Sequence, residues 1–168
     1  GRDLARFDLQ PRCLRLVVFA HGHAAAQGSF GVYGVRVAEA TNGENDAGGI
    51  GVRAGLSLPL LPLEAYVAAE RVFPNCPQDG CSVWAAEAGL TLTVFPLPVV
   101  RPYITAAVVQ RRYDSGIEGA DQVTTAEGIS AGVGVSAGVP GVRFFLEGRY
   151  EFMDEPYDQF VLRLGVMF

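Results

Sequence analysis

The side chains best suited to chemistry are few in this sequence and poorly placed for it. The only imidazoles, His21 and His23, form a His-x-His pair near the start of the chain. Such a pair can ligate a metal, but it falls in a segment that reads as removable, so neither a metal nor another cofactor is expected. Glu147 and Glu151 are spaced to do acid–base work in principle, yet neighbouring Arg side chains would hold both ionised. Interior packing is the better reading of that pair. Hydrolytic sites built on His with Ser or Asp need an imidazole that residues 27–168 do not contain. Gly132-Val133-Gly134 is not a phosphate loop, because its valine alternation places it within a strand. Cys76 and Cys81 flank Pro77-Gln78-Asp79-Gly80, a turn-rich segment. They are a candidate disulfide closing a small loop in an oxidising compartment, the alternatives being two free thiols or a weak metal pair. Cys13 has no evident partner, and Arg12 before it does not resemble a lipoprotein cleavage site. No catalytic site emerges, and the residues argue against an enzyme.

What must hold the remaining side chains in place is set by composition. Hydrophobic residues make up 49% of the 168 and charged residues 18%, with mean hydropathy +0.23. No stretch approaches the roughly 18 uninterrupted apolar residues that a spanning helix needs. The richest, 56–69, is broken by Pro59, Pro62 and Glu64. Hydrophobicity that is high overall but never concentrated fits alternation along strands. All 13 basic residues are Arg and the net charge is −5. No basic patch interleaves with aromatics, so nucleic acid is not an expected partner.

Residues 1–26 differ from the rest. Arg12 and Arg15 flank the short apolar run Leu16-Val17-Val18-Phe19-Ala20, and Ala24-Ala25-Ala26 supplies small residues before Gln27. This pattern resembles a degenerate secretory signal peptide, the alternative being an N-terminal extension. One domain, 27–168, is expected beyond it.

From Gly28 onward, turn signals separate eight segments of period-two alternation: 30–38, 50–58, 63–73, 83–95, 100–113, 129–138, 142–152 and 159–168. Connections alternate in length. Those around 58–63, 95–100 and 138–142 are tight and contain Pro, whereas 41–49, 74–82, 114–128 and 153–158 are mostly longer and carry Gly, Asn and Asp. Short turns on one side and long loops on the other are the habit of bacterial membrane barrels. The expected fold is therefore all-β, an eight-stranded antiparallel up-and-down transmembrane β-barrel.

Charge sorts the two faces. Opposite the apolar stripe lie Arg36, Arg53, Arg101, Arg143, Arg149 and Arg163, with Glu64, Glu70, Glu87, Glu147 and Glu151. These alternate with Gly, Ala, Ser and Thr, and a small barrel's interior is filled by side chains. Paired Arg and Glu would fill it without orphan charges. A soluble barrel would show the inverse, an apolar interior with polar residues outward. Trp84, Phe73, Phe95, Tyr113, Tyr150, Phe152 and Phe168 fall near strand ends, as interfacial girdles do. The long loops are acidic, with Glu44, Asp46, Asp79, Asp114, Glu118, Asp121, Glu127, Asp154, Glu155 and Asp158.

The segment Phe160-Val161-Leu162-Arg163-Leu164-Gly165-Val166-Met167-Phe168 sets Phe160, Leu162, Leu164, Val166 and Phe168 at alternate positions up to a final aromatic. It resembles the signal read by the barrel-assembly machinery. With Arg101-Pro102-Tyr103 and Leu146-Glu147-Gly148-Arg149-Tyr150, residues 28–168 resemble the OmpA/OmpX/opacity-type eight-stranded outer-membrane β-barrel family. The resemblance implies a monomer in the outer membrane of a Gram-negative bacterium, in contact with the lipid bilayer and lipopolysaccharide. Envelope integrity, adhesion or another surface interaction is the implied role. A narrow pore or small-ligand conduit is the alternative, set back by the interior charges and by Tyr66 and Tyr103.

Overall fold

The structure is a computed structural model that describes residues 27–39, 47–58, 61–74, 81–95, 97, 99–114, 123–139, 141–154 and 158–168. Eight strands appear in chain order: β1 (Gln27–Glu39), β2 (Ala47–Ser57), β3 (Leu63–Phe73), β4 (Ser82–Thr93), β5 (Val100–Asp114), β6 (Val123–Val139), β7 (Val142–Met153) and β8 (Gln159–Met167). Each pairs antiparallel with its sequence neighbours, and β8 returns to β1, so the sheet closes into a barrel without an edge. Closure satisfies the backbone polar groups within the wall, the condition for strands to cross lipid. Phe30 and Phe168 exchange backbone hydrogen bonds at the seam, at 3.1 and 2.7 Å, so both described ends of the chain lie at one end of the barrel.

That end carries the short connections. Leu58 donates to the Leu63 carbonyl at 3.0 Å and Val94 to the Pro102 carbonyl at 3.0 Å, which tie off two of them. The third is closed by Gly141, whose φ of +95° suits glycine and strains an L side chain. The opposite end carries the longer loops, of which 40–46, 75–80, 115–122 and 155–157 are outside the described residues, as are 1–26 and therefore His21, His23 and Cys13.

The strand reading holds for all eight segments, with one marked difference in length. The sixth segment, expected over 129–138, runs over Val123–Val139, and its ladder with β5 continues to the pair Asp114↔Val123. Backbone pairing continues past the apolar stretch because the ladder needs no apolar side chain once it leaves the lipid.

One packing device recurs in the four hairpins that a long loop closes. Tyr33 lies opposite Gly51, Tyr66 opposite Gly89, Tyr103 opposite Gly134 and Phe145 opposite Gly165. All four rings are buried inside the barrel. A Cβ at Gly51 would fall within the Tyr33 ring, and one at Gly134 within the Tyr103 ring. Glycine is therefore required there by the close approach of the ring rather than by backbone angles.

Candidate functional site

Period two sends every second side chain inward, and the inward set carries the charges among small and apolar side chains. Along β2 it includes Arg53; along β3, Glu64, Tyr66 and Glu70; along β4, Glu87 and Thr91. β7 adds Glu147, Arg149 and Glu151, and β8 adds Gln159 and Arg163. Glu147 and Glu151 are 0% exposed and Arg111 and Arg149 are 1% exposed, so these charges depend on one another rather than on bulk water.

The ion pairs form an alternating string. Glu151 takes Arg111 Nε at 2.7 Å and Gln159 Nε2 at 2.6 Å. Arg111 also donates to Glu70 at 2.7 Å, and Arg163 meets the other oxygen of that carboxylate at 2.7 Å. Arg163 reaches Glu87 at 2.6 Å, Glu87 takes Arg149 at 2.7 Å, and Arg149 closes on Glu147 through Nε and Nη2. Glu147 then accepts from Arg53 at 3.4 Å, and Arg53 lies 3.8 Å from Glu64, which accepts from Ser29 at 3.1 Å. Acid and base alternate from Glu151, at the long-loop end, to Glu64, at the short-turn end. Four buried Arg (Arg53, Arg111, Arg149, Arg163) face four buried Glu (Glu70, Glu87, Glu147, Glu151), so the centre of the string is neutral.

Hydroxyls and rings fill the gaps. Tyr33 donates to Glu70 at 3.3 Å, Arg53 to Thr91 at 2.7 Å, and Arg149 to Tyr66 at 3.1 Å and Ser130 at 3.4 Å. The Arg53 guanidinium stacks 3.7 Å from the Tyr66 ring centroid, and Arg163 lies 5.1 Å from that of Tyr33. Among the described residues, only Arg53 Nε and Arg163 Nε are buried side-chain polar atoms without a hydrogen bond.

Eight of the eleven interior charges expected from sequence fall on this string. Arg36 does not. The assignment of strand one is reversed: Tyr33, Val35 and Val37 face inward and Arg36 is exposed on the outer surface. Arg36 sits opposite Gly48, itself opposite Phe73, at the aromatic rim, where an Arg can extend its guanidinium towards the polar boundary. Tyr33 takes the inward place because its ring fits over Gly51 and its hydroxyl reaches Glu70. Arg101 and Arg143 point inward, but at the short-turn mouth rather than in the string. With Ser29, Glu64 and Thr93 they line a vestibule of about 700 Å³, and neither has an ion-pair partner among the described residues.

Sequence reasoning missed Arg111, the bridge between Glu70 and Glu151. It shares the parity of Tyr103, Thr105 and Ala107, and its neighbour Arg112 necessarily points the other way. Cys81, half-buried just ahead of β4, is in a disulfide; Cys76 lies outside the described residues, and the pairing of the two is kept as a proposal. The candidate assembly signal is on one face: Phe160, Leu162, Leu164 and Phe168 are exposed outward, with Val166 half-buried beside them.

The outer wall is the inverse of the inner one. Val108, Val133 and Leu164 are each more than 60% exposed, near the middle of their strands. Aromatics rim the wall, with Phe73, Trp84 and Phe152 at the long-loop end and Phe30, Phe95 and Phe168 at the other. A continuous apolar belt of this kind has no counterpart on soluble monomers and suits the hydrocarbon of a bilayer. Apolar outside, charged inside and closed: the chain is an eight-stranded outer-membrane-type β-barrel.

No family model and no curated protein sequence matches the chain. Solved structures do. Neisserial surface protein A superposes with a TM-score of 0.65 at 17% identity, over 85% of this chain and 96% of that one. The N-terminal β-barrel domain of Pseudomonas aeruginosa OprF gives 0.59 at 14%, over 85% and 98%. Ail, the attachment invasion locus protein of Yersinia pestis, gives 0.56 at 12%, over 85% and 97%, and has also been solved with the heparin analogue sucrose octasulfate. The likeness is one of fold.

Proposed function

We propose that this protein is a non-conducting barrel of the Gram-negative outer membrane, inserted by the barrel-assembly machinery and working as a monomer. Its role is structural and surface-facing, exercised through the long loops rather than through the lumen. The observation that carries this reading is the alternating string from Glu151 to Glu64, which occupies the interior along the barrel with buried, mutually paired side chains. Eight strands enclose only enough room for such filling. The vestibule at the short-turn end is open to solvent, but Arg53 and Tyr66 do not line it and are buried at 4% and 3% exposure. Residues 27–168 contain no imidazole, and every fully buried carboxylate is held by Arg, which leaves no poised acid or base for catalysis. The loops are acidic, which favours a cationic partner or bridging divalent ions over a polyanion of the kind seen with Ail. Recording from the purified barrel in planar bilayers tests the reading. Silence is expected; a steady, reproducible single-channel conductance would establish the pore instead.

A further inference from the structure

Charge on the outer face of the described strands is confined to the long-loop end. Arg36 on β1, Arg71 on β3 and Arg112 on β5 point outward there, while the outer face of the short-turn end carries only apolar and aromatic side chains. Arg71 and Arg112 are the two register partners of Trp84, one on each neighbouring strand. All three are exposed. Arg71 lies 5.2 Å from the Trp84 ring and 5.3 Å from that of Phe73, and its guanidinium is otherwise without a hydrogen-bond or ion-pair partner among the described residues. Arg112 has neither there.

Acidic groups lie nearby but do not neutralise this pair. Asp114 is two residues further up the strand from Arg112. Glu127, on the next strand, accepts from Gln110 at 2.8 Å, and Asp158 accepts from Met153 N at 2.8 Å and from the Tyr150 hydroxyl at 3.4 Å. Among the described residues the rim is thus divided, with outward cations on β1, β3 and β5 and acids over β5–β8. Two unpaired guanidinium groups at the upper edge of an apolar belt, about 10 Å apart across two strand spacings, match a phosphate at the membrane boundary.

We propose that Arg71 and Arg112, set on either side of Trp84, receive the phosphate of a lipid A headgroup in the leaflet at the long-loop end. This rests on the outer-membrane reading above, which places that rim outside. Trp84 supplies the flat interfacial ring against which the headgroup packs, and the two Arg supply charge-assisted hydrogen bonds.

Trp84 is the only tryptophan in the chain, so the site reports on itself. The folded full chain in phosphatidylcholine vesicles is titrated with bisphosphorylated lipid A, dephosphorylated lipid A or phosphatidylglycerol at matched charge, reading Trp84 emission. A saturable change with bisphosphorylated lipid A is expected, weakened about tenfold by Arg71→Gln or Arg112→Gln and largely kept by Arg→Lys at either position. Equal response to dephosphorylated lipid A or to phosphatidylglycerol would overturn the proposal, as would unchanged affinity in the double Gln variant. Heat-modifiable mobility verifies that each variant is folded. Membrane fractionation separates the two readings: wild type found outside the outer membrane refutes the location, whereas correct location without phosphate dependence refutes only this site.

Discussion

Removing the Glu147 carboxylate is the perturbation that bears hardest on the interior. Glu147 is 0% exposed and touches Arg149, Arg53 at 3.4 Å and Arg163 at 3.6 Å. In Glu147→Ala, Arg149 keeps Glu87, and Arg163 keeps Glu70 and Glu87. Arg53 keeps Glu64 as its one carboxylate, at 3.8 Å, with the Thr91 hydroxyl at 2.7 Å, and its Nε already lacks a partner. Three buried Glu would then face four buried Arg, with the excess charge resting on Arg53. Breaking a buried pair from one side costs about 3–5 kcal/mol. The lower end, about 3 kcal/mol, applies here because Arg53, though only 4% exposed, keeps Glu64, the Thr91 hydroxyl and the Tyr66 ring. Glu147→Gln keeps an acceptor and should cost about 1–2 kcal/mol. Replacing both partners, Arg53→Met with Glu147→Leu, should cost less than Glu147→Ala alone, because no charge is stranded. Urea unfolding in lipid vesicles, followed by Trp84 emission and by heat-modifiable mobility, measures all three. Glu147→Ala within about 0.5 kcal/mol of wild type, or a double variant as costly as the sum of its singles, would refute the coupled string.

The outer face should fail for a different reason. Leu164→Arg, at a side chain 62% exposed to the belt, should cost about 2–4 kcal/mol in the same assay, and only when lipid is present. Phe168→Ser should lower the amount of barrel inserted in the outer membrane while export is unchanged, measured by fractionation; normal insertion would remove Phe168 from the assembly signal. Mass spectrometry of non-reduced protein should recover a Cys76–Cys81 link, and ready alkylation of both thiols without reductant would exclude it.

The strands and their faces were legible where charge and apolar stripe agreed. On the third strand Glu64 and Glu70 oppose Val67, and on the seventh Glu147, Arg149 and Glu151 oppose Leu146 and Phe152, so parity alone placed them. Strand one carries the same alternation with Tyr33, Val35 and Val37 set against a single charge, Arg36. Charge inside was the wrong rule there, because near a membrane boundary an outward Arg can extend to polar surroundings. Arg111 was hidden by its neighbour: two adjacent Arg must point to opposite faces, and the parity of Tyr103, Thr105 and Ala107, carried to the end of the strand, puts Arg111 inside. The order of the string was not legible at all. Arg111 and Glu151 are 40 residues apart, and Arg163 and Glu70 are 93 apart. Those pairs exist only because closure of the sheet brings distant strands across one lumen.

The rings set over glycines have a consequence for how alignment errors are handled. A slip of one residue within any of the four hairpins that carry them would exchange inside for outside along the whole strand. It would also take Tyr33, Tyr66, Tyr103 or Phe145 off its glycine and set the ring against whichever residue moved opposite. Each of these four hairpins therefore proofreads its own register locally, before the wall is complete.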